Sequence, residues 1–436
     1  MTAPTTRSRA ARGAGGPGRP PIARAIVAVV GVVAWLGLIW IGVTLYAATP
    51  PRAGFDLELL VAAGRNVAAG RSPYDPALVA GSAPIAEGLF YSYPPVVAQI
   101  MAVVAWLPSP LALVAWAAAA VVGLAAVTVA LARRFAPERS AASVAIPVVA
   151  LAPLCFPFAI GLLFGNLDVF FPLLYGVILL AVAPGAALGT QRLGGISLAI
   201  ASIAKLHPAS LVAWFATRAV AERRGAAVRI LAVTVVAGLV VVALSVAIGG
   251  LDRWREYASV VRAGSNADLV DARNAGPAAQ AALLLGMNDA IARTLHLAVV
   301  AAVLAVTVGS ARRIDDPVTA LAVAAAASLA TLPVTWYHYP SALMPFALVA
   351  LLRVPDKEAR AVVTRLVAGA LVVAALAIAV LPLVWVAIGL VLLAVHRSDP
   401  IRERGATELP EPVGGGTGGT DAALATAASG RAAGPR

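Results

Sequence analysis

The sequence predicts an all-α polytopic membrane protein with a bundle of about twelve transmembrane helices. Of its 436 residues, 61% are hydrophobic and 12% are charged, and the mean hydropathy is +0.89. Soluble domains contain about 45–50% apolar and about 25% charged residues. The apolar residues also fall into blocks of roughly 16–25, enough for a helix to cross a hydrocarbon core of about 30 Å. These observations together indicate an integral membrane protein.

The apolar blocks divide the chain into one membrane domain and two polar tails. Residues 1–23 and 397–436 lack apolar periodicity, so we predict that both are disordered tails in the cytoplasm. Residues 24–396 form the predicted membrane domain. Its spans are expected at 24–48, 94–108, 110–132, 143–163, 167–184, 193–217, 227–248, 289–309, 317–333, 338–352, 362–380 and 382–396.

The net charge of +12 comes largely from arginines in the first tail and in short loops. This distribution follows the positive-inside rule and does not indicate a nucleic-acid partner. We therefore expect a plasma-membrane protein whose long loops at 50–93 and 249–288 lie on the outer face. The basic loop at 133–139 is an exception, because the predicted spans put it outside. Either the chain re-enters the membrane near 108–110, or one later block does not span it.

The first outer loop contains the leading catalytic candidate, Asp56. Apolar residues between 56 and 69 recur at helical spacing, which predicts a short amphipathic helix at the membrane surface. A carboxylate at the start of this helix can act as a general base toward a hydroxyl, or it can simply cap the helix. Glu58 is an alternative acid, and Tyr93 belongs to an aromatic run that closes the loop.

Polar residues also interrupt the apolar blocks. Lys205 lies within the block at 193–217, where a charge costs about 2.5–3.5 kcal/mol on insertion scales, so pairing with a lipid phosphate is expected. His207 stands before a proline that can open the helix toward a cavity. Asn166 and Asp168 follow a glycine, and they form either a tight turn or a polar wall of the site.

Two further groups of candidates lie on the same predicted face. Trp336, Tyr337 and His338 can anchor the chain at the interface, or the rings can stack on a sugar while the histidine stabilises phosphate charge. Arg273 and Asn274 lie in a second loop that is longer than a simple connection needs, which favours a second wall of the site.

Motifs for nucleotides, metals and disulfides do not occur in a plausible context. The sequence offers no GxxxxGK, GxGxxG or HExxH motif there, which disfavours a nucleotide-hydrolysing pump. The one cysteine, Cys155, has no partner for an internal disulfide and no zinc-ligand spacing, and is expected to be a small buried hydrophobe. We therefore expect neither a cofactor nor a metal.

The order of these segments resembles a known family. They are Asp56, Gly70–Asp75, Tyr91–Pro95, Gly165-Asn166, Lys205–Pro208 and Trp336–Tyr339. Over about residues 24–396, the chain resembles the actinobacterial polyprenyl-phosphate-mannose-dependent α-(1→2)-mannosyltransferases of glycosyltransferase family 87, in the membrane-embedded GT-C superfamily. The resemblance implies a GT-C-type helical bundle with the active site on the outer face.

The resemblance also implies roles for individual residues. Asp56 would be the general base toward the acceptor hydroxyl. His338, with Trp336 and Tyr337, would lie beside the donor phosphate and sugar, and Lys205 would match the family's lysine before proline. Mannose would arrive as its polyprenyl phosphate and be transferred with inversion to a cell-envelope glycolipid or glycan.

Some positions depart from the family pattern, and other functions stay open. Asn166 fits a Gly-Asn pair, but Asp168 departs slightly from the polar residue that usually follows. Leu59 and Leu60 stand where members commonly carry an aromatic residue. A polyprenyl-phosphate arabinofuranose or glucose donor would use the same architecture. A flippase of lipid-linked sugars is the competing class, although it would favour charges along a transmembrane path.

Overall fold

The computed structural model describes residues 21–49, 52–81, 90–222, 225–265, 269–354 and 356–399, and within these ranges every regular element is a helix. The predicted disordered tails lie outside these ranges, apart from residues 21–23 and 397–399. In chain order the α-helices are α1 (Pro21–Ala47), α2 (Phe55–Ala68), α3 (Pro76–Val79), α4 (Pro95–Ala102), α5 (Ser109–Phe135), α6 (Ala141–Leu151), α7 (Phe156–Phe164), α8 (Phe171–Val182), α9 (Leu188–Ala204), α10 (Ser210–Glu222), α11 (Ala226–Gly249), α12 (Leu251–Ser265), α13 (Pro277–Leu285), α14 (Asp289–Arg313), α15 (Pro317–Ser328), α16 (Met344–Arg353), α17 (Lys357–Leu376) and α18 (Leu383–Arg397).

The predicted all-α polytopic fold is confirmed. Among the described residues, five helices are long and apolar enough to cross a membrane, namely α1, α5, α11, α14 and α17. The pair α6 and α7, bent by 71° at Cys155, makes a sixth if it is counted as one broken span. Shorter apolar helices run over Leu167–Val182, Pro317–Ser328, Tyr339–Arg353 and Leu383–Arg397. Multiple spans make this a multi-pass membrane protein.

The span predicted at 94–108 is wrong. The only helix there is α4, which has eight residues and is followed by turns. Eight residues reach about 12 Å along a helix axis, far less than a hydrocarbon core of about 30 Å. Instead α4 packs against α2, where a Cβ added at Gly64 would lie 2.6 Å from the backbone carbon of Met101.

The single span predicted at 193–217 is also wrong, because the chain breaks at Lys205. Helix α9 ends at Ala204, and Lys205 takes an extended conformation with φ −142° and ψ 143°. A 3₁₀ turn over His207–Ala209 follows before α10 begins. Pro208 has no backbone N–H to continue the helix, so the sequence itself explains the break. Lys205 therefore lies at a helix end rather than in mid-helix.

The surface helix predicted at 56–69 is present as α2, but Asp56 does not cap it. The N-cap residue is Gly54, whose φ of 75° is in the left-handed region, and no side chain caps the helix. Asp56 is thus the second residue of the helix, with its side chain free for other contacts. The helix ends as predicted before Gly70, which has φ +73°.

Burial separates a central helix from a peripheral one. Nine of the twelve residues of α15 are buried, most of them alanines, so neighbouring helices approach it closely. In contrast, only 6% of the most apolar window of α1 is buried. An apolar surface of that kind is stable only against lipid or a partner helix.

Contacts define two ends of the helical bundle. At the α2 end, Ser109 at the start of α5 donates to Glu58 of α2 at 2.8 Å. The 27 residues of α5 then extend about 40 Å. At the opposite end, Arg134 donates to the carbonyl of Pro184. There Arg229 also donates to Gln191 at 2.7 Å.

Candidate active site

The centre of the candidate site is a contact between α2 and the turn after α7. Nδ2 of Asn166 donates to Oδ2 of Asp56 at 2.7 Å. The same amide accepts a hydrogen bond from the backbone N–H of Asp168 through Oδ1, which starts a short 3₁₀ turn. Trp116 of α5 donates its indole N–H to the carbonyl of Asn166 at 3.2 Å. Asn166 is thus fixed on three sides and holds Asp56 in one orientation.

Gly165 allows this close approach. It ends α7 with φ +69°, and a Cβ at this position would lie 2.5 Å from Cβ of Leu57, the residue after Asp56. Gly54 donates its backbone N–H to Leu163 at 2.8 Å and joins the same two segments. The turn predicted at Gly165-Asn166 is present, and it packs against the segment that carries Asp56.

A buried charged cluster, formed by Asp168, Lys205 and His338, continues from Asn166. Nζ of Lys205 donates to Oδ2 of Asp168 at 2.6 Å, and Nε2 of His338 lies 3.0 Å from the same oxygen. All three side chains are at most 7% exposed. Asp168 enters from the 3₁₀ turn after α7, Lys205 from the break after α9, and His338 from the segment after α15. The segments that follow three helices thus meet at the Asp168 carboxylate.

Aromatic rings surround the cluster. Nζ of Lys205 lies 4.0 Å above the centroid of the Tyr339 ring, within cation–π range. Trp336 stacks parallel to His338 at 6.5 Å, and Tyr337 meets the same imidazole edge-on at 6.0 Å. Both Trp336 and Tyr337 are only partly buried, so their rings remain available to a ligand. Phe156 of α7 supports Tyr337 at 6.0 Å.

His207 is a buried neighbour of the cluster. Its ring lies between Phe171 and Tyr339, with centroids at 5.3 and 5.8 Å. Nδ1 lies 3.4 Å from the hydroxyl of Ser328, and Nε2 has no hydrogen-bond partner in the described part of the chain. His207 is 1% exposed, so it packs beneath the cluster and does not line an open surface.

The electrostatic environment makes Asp56 a better base than a solvated carboxylate. Burial raises the pKa of Asp56, while the hydrogen bond from Asn166 and the charges of His338 and Lys205 lower it, and the net shift is upward. A raised pKa strengthens the proton affinity of the ionised form. Burial, and then the charge of Asp56, also raises the pKa of the Tyr93 phenol, which places Tyr93 beside the site.

Three of the residues predicted from the sequence do not contact the buried charged cluster. Two form ion pairs elsewhere, and the third holds the backbone of neighbouring segments. Glu58 binds Arg65 at 2.9 Å on the far side of α2, beside an apolar groove of about 410 Å³. Arg273 is an exposed side chain paired with Asp271. Asn274 is 1% exposed and uses both side-chain atoms in hydrogen bonds to backbone groups, including the N–H of Thr335 at 2.9 Å.

Sequence reasoning missed several residues that fix the cluster. Ser341 donates its hydroxyl to the backbone carbonyl of Asp168 at 3.3 Å, and Trp116 and Phe156 support Asn166 and Tyr337. None of these carries a local signal, since each resembles an ordinary residue of an apolar helix. Within the described ranges, no three His, Cys, Asp or Glu side chains are arranged to hold a metal ion.

The arrangement brings together groups that a group-transfer reaction can use. A half-buried carboxylate lies beside a buried cation, a histidine and open aromatic rings. The sequence model of glycosyltransferase family 87 matches residues 91–336, more than half of the chain. The chain belongs to glycosyltransferase family 87. It is therefore a membrane glycosyltransferase, with the lipid bilayer and sugar donor and acceptor substrates as its general partners.

The family match covers some residues of the candidate site and not others. Asn166, Asp168 and Lys205 fall inside the matched range, whereas Asp56 precedes it and His338 follows it. No curated protein and no solved structure matches the chain. Contacts in the structure join both side chains to matched residues, Asp56 to Asn166 and His338 to Asp168.

Proposed function

We propose that this glycosyltransferase moves mannose from polyprenyl-phosphate-mannose to a hydroxyl of a cell-envelope glycolipid or glycan, with inversion at the anomeric carbon. One observation carries the proposal. Asp56 is linked through Asn166 to a buried cluster that contains Lys205 and His338. The proposed base and the proposed phosphate-stabilising groups thus belong to one linked set of side chains, which a direct displacement can use.

In this mechanism Asp56 removes the proton from the acceptor hydroxyl. The hydroxyl oxygen attacks the anomeric carbon on the face opposite the phosphate, and the bond from that carbon to the phosphate oxygen breaks. The polyprenyl phosphate leaves with the electron pair. His338 stabilises the developing negative charge on the phosphate oxygen, and the positive charge of Lys205 contributes to the same stabilisation. A β-linked donor thereby yields an α-linked product.

The proposed sugar subsite is the pair of partly buried rings, Trp336 and Tyr337. Their faces provide the stacking surface that a pyranose ring prefers, and they adjoin His338 directly. The lipid part of the donor would approach from the bilayer, where helices such as α1 are lined by exposed apolar side chains. We place the site on the outer face of the plasma membrane.

The decisive assay uses membranes that contain the full-length protein and radiolabelled polyprenyl-phosphate-mannose. Candidate acceptors are phosphatidylinositol mannosides and lipomannan chains. We expect a new α-linked mannoside that Asp56→Asn membranes do not form. Movement of the donor across the bilayer without a new glycosidic bond would instead establish a flippase and overturn the proposal.

The identity of the sugar is tested in the same membranes by competition between donors. Polyprenyl phosphates of mannose, glucose and arabinofuranose are supplied at equal concentration. We expect mannose to give the highest kcat/KM. A clear preference for arabinofuranose would keep the proposed displacement but contradict the mannosyl assignment.

A further inference from the structure

Asp168 has no proposed contact with substrate, yet both cationic candidates of the site meet at one of its oxygens. Oδ2 lies 2.6 Å from Nζ of Lys205 and 3.0 Å from Nε2 of His338. The Asp168 side chain is 3% exposed, so both contacts are shielded from bulk water. Its backbone is held as well, because its N–H donates to Asn166 and its carbonyl accepts from Ser341.

The two ring nitrogens of His338 differ in their surroundings. Nε2 lies 3.0 Å from Oδ2 of Asp168, although neither ring nitrogen meets the geometry of a hydrogen bond among the described residues, and the side chain is only 4% exposed. A carboxylate beside one imidazole nitrogen keeps the proton on that nitrogen and fixes the plane of the ring. The other nitrogen is then directed to a fixed place, and a buried unpaired nitrogen is costly unless a ligand meets it.

We propose that Asp168 is the positioning residue of this site, which keeps the proton on Nε2 of His338 and aims Nδ1 at the donor. To stabilise the leaving phosphate, Nδ1 must carry a proton as well. Asp168 then balances one of the two cations, Lys205 and the His338 imidazolium, and the donor phosphate balances the other. This deepens the proposed function and rests on it for its kinetic test. In this proposal Asp168 acts by orienting His338 and does not contact the substrate.

The test compares Asp168→Asn with a matched control in purified full-length protein. Asp316 and Arg353 form a second buried ion pair at 2.8 Å, with side chains 6% and 8% exposed. It lies at the start of α15, about 17 Å along that helix from Ser328, which contacts His207. Asp316→Asn therefore reports the loss of a buried ion pair without touching His338.

The kinetic readout is the division of the effect between kcat and the donor KM. Orienting carboxylates of catalytic or metal-bound histidines contribute on the order of 10–10⁴-fold. We expect Asp168→Asn to lower kcat by about 100-fold with less than a threefold change in donor KM, because the interaction matters most in the transition state. Asp316→Asn should lower thermal stability and leave kcat of the folded fraction unchanged. Equal loss of kcat in both variants would overturn the proposal.

A spectroscopic readout is independent of activity. The chain has four histidines, so the ¹⁵N signals of His338 can be assigned by their loss in His338→Gln. We expect the Nε2 signal to be that of a protonated nitrogen in the wild type and to leave that range in Asp168→Asn. An unchanged signal would overturn the proposal. If the wild type forms no glycoside, the proposed function fails, but this comparison still decides the orientation of His338.

Asp168→Asn leaves Lys205 without its buried counter-ion, and such a variant can fail to fold. The charge-balanced variant Asp168→Asn with Lys205→Met then replaces it. The same His338 signal is measured in that protein. A shift of Nε2 out of the protonated range supports the positioning role, and retention of the wild-type signal contradicts it.

Discussion

Asp56 is the residue on which the proposed chemistry depends most directly. It is the second residue of α2, half-buried, and held by Asn166 at 2.7 Å. Asp56→Asn keeps the size of the side chain but cannot accept a proton. Because general bases contribute about 10²–10⁴-fold to rate, we expect transfer to fall by that factor, measured as glycosidic product at saturating donor and acceptor.

Glu58→Gln is the control for that variant. It changes a carboxylate on the same helix whose contacts are Arg65 and Ser109 and not the buried cluster. Its transfer rate should stay within about twofold of wild type, because the substitution removes an exposed ion pair that contributes at most about 1 kcal/mol. Full turnover by Asp56→Asn would refute the assignment of the base.

The hydrogen bond from Asn166 also predicts a change in pH dependence. It lowers the pKa of Asp56 against the larger opposing effect of burial. Removing it in Asn166→Ala should raise that pKa further, so the carboxylate becomes protonated at a higher pH. The acidic limb of kcat/KM, which follows loss of the ionised base, is expected to move to higher pH. A limb that stays in place would show that another group sets it.

The sequence predicted which residues belong to the candidate site better than it predicted the contacts between them. Asp56, Lys205 and His338 stood out as polar residues at membrane edges or in apolar blocks. Nothing local showed that Lys205 would meet Asp168, 37 positions earlier, because that contact depends on how α8 packs against α9. The capping interpretation of Asp56 was wrong because the N-cap is Gly54, with its positive φ, two residues before Asp56.

Among the elements, the turn at Gly165 connects α7 to α2 and sets their distance. Gly165→Ala adds a Cβ 2.5 Å from Leu57 and also places alanine at φ +69°. We expect a lower melting temperature and a displaced Asp56, and hence a loss of transfer beyond the loss of folded protein. Melting of the purified protein and kcat per folded molecule are the measurements.

Gly185→Ala separates the two effects of that change. Gly185 has φ +74° but no atom within 4 Å of the added Cβ. It should therefore show only the cost of the left-handed backbone, about 1–2 kcal/mol. Equal behaviour of the two variants would mean that the approach of α7 to α2 does not matter.

Hydropathy predicted most of the helices because each is a continuous apolar segment. The predictions failed at 94–108 and at 193–217 for different reasons. The first segment is apolar because α4 packs against α2, and composition alone does not distinguish such a helix from a membrane span. The second contains a helix break, for which the pair His207-Pro208 was the signal.

For the whole molecule, the shortness of α4 removes the conflict over the basic loop at 133–139. Helix α1 ends and α5 begins beside α2, and no helix long enough to span a membrane lies between them among residues 52–81 and 90–108. Residues 133–139 then lie on the same side of the bilayer as the start of α1, in agreement with the positive-inside rule. We therefore expect this loop in the cytoplasm, contrary to the parity of the predicted spans.

Cysteine labelling in intact cells tests that orientation. Cys155 is buried, which gives little background. A membrane-impermeant maleimide should label Glu138→Cys only after permeabilisation, whereas Ala69→Cys at the exposed end of α2 should react in intact cells. Labelling of both positions from outside would contradict the orientation.

The pairing of Asp168 with Lys205 also bears on how the chain is made. Helices α8 and α9 pack together as a hairpin that brings these two residues into contact. Each charge alone would cost about 2.5–3.5 kcal/mol on entering lipid, whereas the pair enters without net charge. His338 is synthesised much later in the chain. We therefore expect Asp168 and Lys205 to enter the bilayer as a neutral ion pair during synthesis, before His338 has been added to the chain.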